Sequence, residues 1–434
     1  MEYRPTKIVP KGWKSKTVDQ VFDFYPTATY SRDKQVSQNT DASIKYIHYG
    51  DIHTKYNILL DASNPLIPHI DGELKKDFEL VKDGDLIIAD TSEDYDGVGK
   101  CVEVVNVGDN QIISGLHTLM LRPKGDDFIV GFKGYFFSGE QVRNSLLRIV
   151  TGIKVYSITK TTLAKVSLLI PSHQEQKAFV SILSKVDEAI ASVQNSIAAA
   201  ERLKKSLMQN LLTGKMRPDG TIRTPKEFYI DENFGKVPLG WEVKRVKDFG
   251  EVITGKTPPT DEPEVFSDQE RGYMFITPGD LDSAKYIEKT ERYVSDKGIK
   301  YSYILPKNAV CEVCIGSTIG KIGITIKKCC TNQQLTSVIV NEENDAEYFY
   351  YAMCYRREHF KSVAGINATP QINKSGYSKY KVLCPKDKNE QIEIAQKINS
   401  VDSDISKQEQ KIRVLERLRK SLMQNLLLGI VKTI

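Results

Sequence analysis

Two stretches of the chain carry the same hydrophobic rhythm. From Gln174 to Leu212 there is no proline or glycine, and apolar residues recur in alternating steps of three and four: Phe179, Leu183, Val186, Ile190, Val193, Ile197, Ala200, then Leu207 and Leu211. Only Lys204, with Leu203 beside it, interrupts the seam. The second run places Ile394, Ile398, Val401, Ile405, Gln408, Ile412, Leu415, Leu422 and Leu426 in the same way. Sustained spacing of this kind predicts two long helices with coiled-coil seams. Gly214 and Gly429 stand where C-terminal caps would end them. Two long core helices in one globular domain is the plainer alternative.

Ahead of each of these runs the pattern changes to short strands. Asp85–Asp90, Val98–Val107 and Gln111–Leu121 read as strands in the first half. In the second half Ala309–Ile315, Lys321–Ile326 and Gln333–Val340 read as strands and Ala346–Phe360 as a helix. The fold class is therefore α/β (α+β), two copies, separated by long helices. The expected boundaries are a first module at 1–171, its helix at 172–214, a linker at 215–236, a second module at 237–385 and its helix at 386–434.

The halves are duplicates. Leu203-Lys-Lys-Ser-Leu-Met-Gln-Asn-Leu-Leu212 returns as Leu418-Arg-Lys-Ser-Leu-Met-Gln-Asn-Leu-Leu427, 215 residues on. The same offset carries Glu175-Gln176 to Glu390-Gln391 and Val186-Asp187 to Val401-Asp402. Val9-Pro10-Lys11-Gly12-Trp13 returns as Val237-Pro238-Leu239-Gly240-Trp241, with the only two tryptophans. Between these anchors Leu86–Ala89 with Gly99-Lys100 resembles Ala309–Glu312 with Gly320-Lys321, and Leu116–Leu119 aligns with Gln334–Ser337. Pro171 and Pro385 close the two modules. The helices stayed alike while the modules diverged, which suggests two different ligands of one class.

If the helices pair with each other, direction follows from the linker. Each module opens directly onto its own helix, so antiparallel pairing asks Thr213–Lys236 to cross only a short gap, with the modules at opposite ends and a pseudo-two-fold relation between the halves. At about 1.5 Å per residue each helix is a rod of roughly 55–60 Å. B-DNA turns once in about 34–36 Å, so modules at the ends of such a rod could address sites roughly one to one and a half turns apart.

Composition narrows the function. The 434 residues are 40% hydrophobic and 27% charged, with net charge +5 and a pI near 8.5; that is compatible with a polyanionic partner without demanding one. Met1–Thr17 lacks the apolar core of a secretory signal, and no apolar run approaches membrane-spanning length. Seven cysteines fit reduced thiols. The expectation is a cytoplasmic protein with no membrane contact. Polar groups on turns are the natural candidates for touching bases or phosphates: Ser92, Tyr95, Lys100, His117 and Arg122 in the first module, and Ser317, Thr318, Lys321, Asn332, Gln333 and Gln334 in the second.

The duplicated helix ending, the Glu-Gln pair opening each helix, the Pro-x-Gly-Trp opening of each module and the Ile319-Gly-Lys-Ile-Gly323 turn together resemble the specificity subunit of Type I restriction-modification systems. The resemblance covers essentially the whole chain. It implies two target-recognition domains, each reading one half of a bipartite asymmetric site in double-stranded DNA. It implies that the helices dock two adenine methyltransferase subunits, with a restriction subunit joining for cleavage. On that reading the chain is a non-catalytic subunit that binds no cofactor itself, while S-adenosylmethionine, ATP and Mg belong to the partner subunits. The first module departs from the Gly-rich turn, having Thr91-Ser-Glu-Asp-Tyr-Asp96 before Gly97.

Other chemistries fit less well. Cys311, Cys314, Cys329 and Cys330 approach zinc spacing, but positions i and i+3 of a strand face opposite ways. Gly316–Lys321 is one residue short of a phosphate-binding loop, with Ile322 where Ser or Thr would hold magnesium. A nuclease reading uses Asp219 with Glu242 and Lys244, or Asp61 with Glu73 and Lys75; it would make the chain an autonomous restriction endonuclease. Asn64-Pro65-Leu66-Ile67 lacks the second proline and aromatic of a methyltransferase loop. A coiled-coil scaffold that binds only protein is the third alternative.

Overall fold

The structure, a computed structural model, describes residues 12–36, 43–75, 78–267, 272–282, 284–365 and 370–427. Val9–Lys11 of the opening motif and Gly429, the expected second cap, lie outside the described residues, as does the side chain of Lys75. The chain divides into two compact units, residues 1–194 with 410–434, and residues 195–409. Each unit therefore combines one module, the opening part of its own helix and the closing part of the other.

The modules share one topology. In the first, a five-stranded sheet runs in the order Phe22–Tyr25, Thr118–Pro123, Leu86–Ala89, Cys101–Val105, Leu59–Asp61. A four-stranded sheet runs Ile112–Ser114, Ser43–Ile47, His69–Asp71, Gln35–Val36. In the second the orders are Gly250–Thr254, Leu335–Val340, Ala309–Val313, Ile322–Thr325, Tyr286–Ile287, and Cys329–Thr331, Tyr273–Ile276, Arg292–Val294, Phe266–Ser267. The same two pairs are parallel in each module, Leu59–Asp61 with Cys101–Val105 and Ile112–Ser114 with Ser43–Ile47, and their counterparts. The duplication extends to every strand of these sheets.

The central strands read as continuous apolar runs because both faces are covered. Leu86 and Ile88 turn toward the aromatic helix Lys133–Ser138 and the long helix, while Ile87 and Ala89 turn toward the small sheet. The period of two sorts them. Glu103 is buried on the next strand, and Lys133 Nζ at 2.7 Å with the Gly131 and Gly134 N–H groups at 2.7 and 2.9 Å compensate it. Breaking such a buried pair by removing one partner is strongly destabilising.

Two strand expectations needed correction. Gln111–Leu121 reads as one strand, but it is two, Ile112–Ser114 in the small sheet and Thr118–Pro123 in the large one. They are broken at Gly115, where a Cβ would lie 2.7 Å from Ile47 O. The alignment of the halves is also one residue out. Gly115 N–H donates to Ile47 O as Asn332 N–H does to Ile276 O, and Ala28 N–H donates to Ser114 O as Lys256 N–H does to Thr331 O. His117 is thus the counterpart of Gln334, not of Leu335. Gly99 N–H donates to Ala89 O as Gly320 N–H does to Val313 O, which sets Ala89 against Val313 rather than Glu312.

The two long helices span His173–Leu211 and Lys388–Leu427. In the first unit Phe179 and Leu183 enter the module's core with Met423 and Leu426, and Asp187 Oδ1 takes Arg419 Nη1 at 2.9 Å. In the second unit Leu211 and Leu212 enter the core with Ile394 and Ile398, and Asp402 pairs with Lys204 at 2.5 Å. One helix number falls as the other rises, so the segments run antiparallel in each unit. Lys204, which interrupts the apolar seam, occupies the repeat position of Arg419. Each aspartate also accepts a hydroxyl from its own module, Tyr135 or Tyr351, at 2.6 Å.

The repeated residues at the helix openings form one joint, built twice. Trp13 and Trp241 Nε1 donate to Glu175 and Glu390 at 3.1 Å. Gln176 Nε2 donates to Pro171 O at 3.0 Å and its Oε1 accepts from Ile129 N–H at 2.9 Å. Gln391 does the same with Pro385 O and Asp345 N–H, both at 2.9 Å. Tryptophan, proline, glutamate and glutamine therefore hold each module on its own helix.

Candidate nucleic-acid interface

Three loops leave one edge of each large sheet. In the first module they are Thr27-Ala28, Thr91–Gly99 and Gly115–His117; in the second, Gly255–Thr257, Cys314–Lys321 and Asn332–Gln334. Backbone bonds lace them: Asp90 N–H to His117 O at 3.1 Å in one, Cys314 N–H to Gln334 O at 2.8 Å and Gly255 N–H to Leu335 O at 3.0 Å in the other. Polar side chains on such fixed turns can address base edges or phosphates.

The second-module candidates come together. Gln333 and Ser317 are exposed, and Thr318, Lys321, Asn332 and Gln334 half-buried. A Cβ on Gly316 would lie 3.5 Å from Gln334 Nε2, so the two turns touch. Gly316 has φ 101°, a conformation for which glycine is suited. Asn332 Nδ2 donates to Gln334 Oε1 at 3.0 Å, and Gln333 Oε1 accepts from Thr257 Oγ1.

The first-module candidates divide. His117 is exposed on its turn in the left-handed region (φ 53°), against the edge of the Tyr49 ring at 5.2 Å. Lys100 is exposed and has no ion pair among the described residues. Tyr95 is exposed, but its hydroxyl donates to Leu147 O at 2.8 Å and its ring packs edge-on against Tyr156. Ser92 is buried, 8% exposed, and its Oγ accepts from Asp94 N–H at 3.1 Å; it shapes the loop rather than lining its surface.

Arg122 is the clear correction. Its guanidinium gives two bonds to buried Asp85, at 2.9 and 2.7 Å, one to Glu79 at 2.6 Å and one to Leu80 O at 2.8 Å. It lies over Tyr25, 4.5 Å from the ring centre. The hydrogen bonds it donates to Asp85, and then to Glu79, raise its pKa further. With four of its five N–H donors engaged, Arg122 is a core fastener.

Sequence reasoning missed the residues that brace these loops. Arg143 donates to Val98 O at 2.6 Å and Asp96 O at 2.8 Å, holding the Thr91–Gly99 loop from a helix 45 residues away. His53 Nε2 lies 3.1 Å from Thr91 O, and Thr27 Oγ1 donates to Thr118 O at 3.0 Å. Of these only His53, in the ring-rich run His48-Tyr49 to His53, stands out in the sequence. Cys311, Cys314, Cys329 and Cys330 are packing groups instead: all are buried, and burial pushes the Cys311 and Cys330 thiols up to about 12. Among the described residues no three His, Cys, Asp or Glu stand close enough to share a metal ion, and no helix is long and apolar enough to cross a membrane.

Comparison with known proteins converges on one family. The family model for the Type I restriction modification DNA specificity domain matches twice, over residues 10–202 and 238–417. The chain is 23% identical over 405 residues to the Type I restriction enzyme HindI specificity subunit of Haemophilus influenzae, covering 80% of this chain and 85% of that one. It is 28% identical over 203 residues to the MjaIX specificity subunit of Methanocaldococcus jannaschii, covering 45% and 46%. Its fold resembles that of the Type I restriction-modification S subunit from M. genitalium, with TM-score 0.57, 13% identity and 97% of both chains covered.

Proposed function

This chain belongs to the Type I restriction modification DNA specificity family, and we propose that it selects DNA for partner enzymes by reading a bipartite asymmetric target, one half per module. The observation that carries this is the pairing of one topology with two different sets of turn residues: His117 in one module stands where Gln334 stands in the other. Two readers of one build with unlike side chains suit two unlike half-sites. On this reading the long helices, of 39 and 40 residues, set the unread interval between the two half-sites.

The repeated decapeptide supports two identical partners. Its buried residues are explained by packing, but Leu203 and Leu418 are 52% and 46% exposed, and Lys205, Ser206, Gln209 with Lys420, Ser421, Gln424 are also exposed. An identical outward face presented twice suits two copies of one protein, and a methyltransferase subunit is the partner we assign to it. A restriction subunit completes the assembly. Methylation and cleavage, with S-adenosylmethionine, ATP and Mg, reside on those partners in the cytoplasm, and this chain contributes recognition alone.

Exchanging residues 1–170 for the first module of another family member, with the joint residues kept, tests the reading. Methylation mapping of the resulting complex is expected to show one half of the target changed and the other retained. A change in both halves, or in neither, would overturn it.

A further inference from the structure

Hydrogen-bond relays fix which way the two equivalent turn residues face. In the first module Thr91 Oγ1 donates its single proton to Asp90 Oδ1, 2.7 Å away. The same oxygen lies 3.3 Å from His117 Nδ1. Its proton is spent, so it can only accept, and Nδ1 carries the ring hydrogen. Asp90 Oδ1, 3.5 Å from Nδ1, favours the same tautomer. With the hydrogen on Nδ1, Nε2 is the ring's lone-pair acceptor. Nε2 has no hydrogen-bond partner among the described residues, and the side chain is 47% exposed.

The second module presents the opposite polarity. Asn332 Oδ1 accepts from Gln334 N–H at 3.1 Å, which orients that amide so that Nδ2 donates to Gln334 Oε1 at 3.0 Å. The oxygen of Gln334 is thereby occupied. Its amino group, Nε2, is left beside Gly316 with no hydrogen-bond partner among the described residues.

We infer that His117 and Gln334 are base-reading residues of opposite sense, an acceptor in the first module and a donor in the second. In the major groove His117 Nε2 takes an exocyclic amino group, N6 of adenine or N4 of cytosine. Gln334 Nε2 takes an acceptor, a purine N7, guanine O6 or thymine O4. A lone pair on Nε2 repels a phosphate oxygen, so His117 does not grip the backbone. Thr91, Asp90 and Asn332 are positioning residues. The inference rests on the bipartite reading proposed above and assigns the chemistry of one position in each half.

The test selects random DNA duplexes with the full chain assembled with its methyltransferase subunits, and sequences what is retained. His117→Gln is expected to shift preference about three- to tenfold at one position of the first half, the scale of a single hydrogen bond, with the second half unchanged. Asn332→Asp is the sharper variant. The new carboxylate still accepts Gln334 N–H but cannot donate to Oε1, so the Gln334 amide turns over and offers its oxygen. Preference at one position of the second half then moves from an acceptor base to an amino-bearing one, while intact reading of the first half reports a folded protein. Unaltered preferences in both variants, or loss of second-half binding without a change of preference in Asn332→Asp, overturn the inference. If the exchange of residues 1–170 succeeds while these variants leave preference unaltered, only this assignment falls; if the exchange fails, the bipartite reading falls first.

Discussion

Arg122 offers a decisive separation of structure from recognition. Asp85 is fully buried and its carboxylate receives two of the four guanidinium bonds; the carboxylate's other bond among the described residues is from Lys82 N–H at 2.8 Å. Arg122→Ala leaves that carboxylate underground with one donor, frees Glu79 and uncovers Tyr25. Removing one partner of a buried pair costs about 3–5 kcal/mol. For a cooperative unit of this size, a kcal/mol moves the melting temperature by about 2–4 °C, so the first unit is expected to melt on the order of 10 °C lower. Calorimetry of the full chain should show that transition move while the second unit's stays in place. Base preference, measured below the melting point, should be unchanged. A variant with the wild-type melting profile but an altered first half-site would refute the reasoning and return Arg122 to the interface.

Glu312 supplies a pH signature for the second unit. It is wholly buried, and burial pushes its carboxyl up to about 8, opposed by the Tyr377 hydroxyl at 3.1 Å and, more weakly, by the charge of Arg357. The folded state therefore keeps a proton that the unfolded chain releases above about 4.3. Stability should fall by a few kcal/mol as pH rises from about 4.5 to 8, then level off. Glu312→Gln should flatten that decline in urea unfolding and exceed wild type at pH 8; parallel curves would contradict it. A fragment ending at Lys215 should self-associate, because Asp187 of one copy meets Lys204 of the other as Asp402 does in the intact chain. Sedimentation showing only monomer at high concentration would count against the helix-pairing account.

The helices and the duplication were legible because each is a long, redundant signal. A seam of three- and four-residue steps over some forty residues survives an interruption at Lys204, and the pairing of Lys204 with Asp402 explains the interruption. The turns were legible as places but not as chemistry. Arg122 resembles a free cation in sequence because its partners Glu79 and Asp85 lie 43 and 37 residues away. Ser92 gives no sign that Asp94 N–H claims its hydroxyl. Gln111–Leu121 reads as one strand since both parts are β-branched and apolar, and the break at Gly115 is imposed by the neighbouring Ile47 backbone, which no local pattern reports. The one-residue slip between the halves has a similar origin: strand pairing fixes register through backbone partners from elsewhere in the chain.

The joint between module and helix uses the same four kinds of group in both halves, an indole, a proline carbonyl, a carboxylate and an amide. None of them belongs to the loops at the sheet edge. New loops can thus arrive on a foreign module and still be seated correctly, as a tool bit is seated by its shank whatever its tip. Change in what this protein recognises is thereby uncoupled from the integrity of its frame.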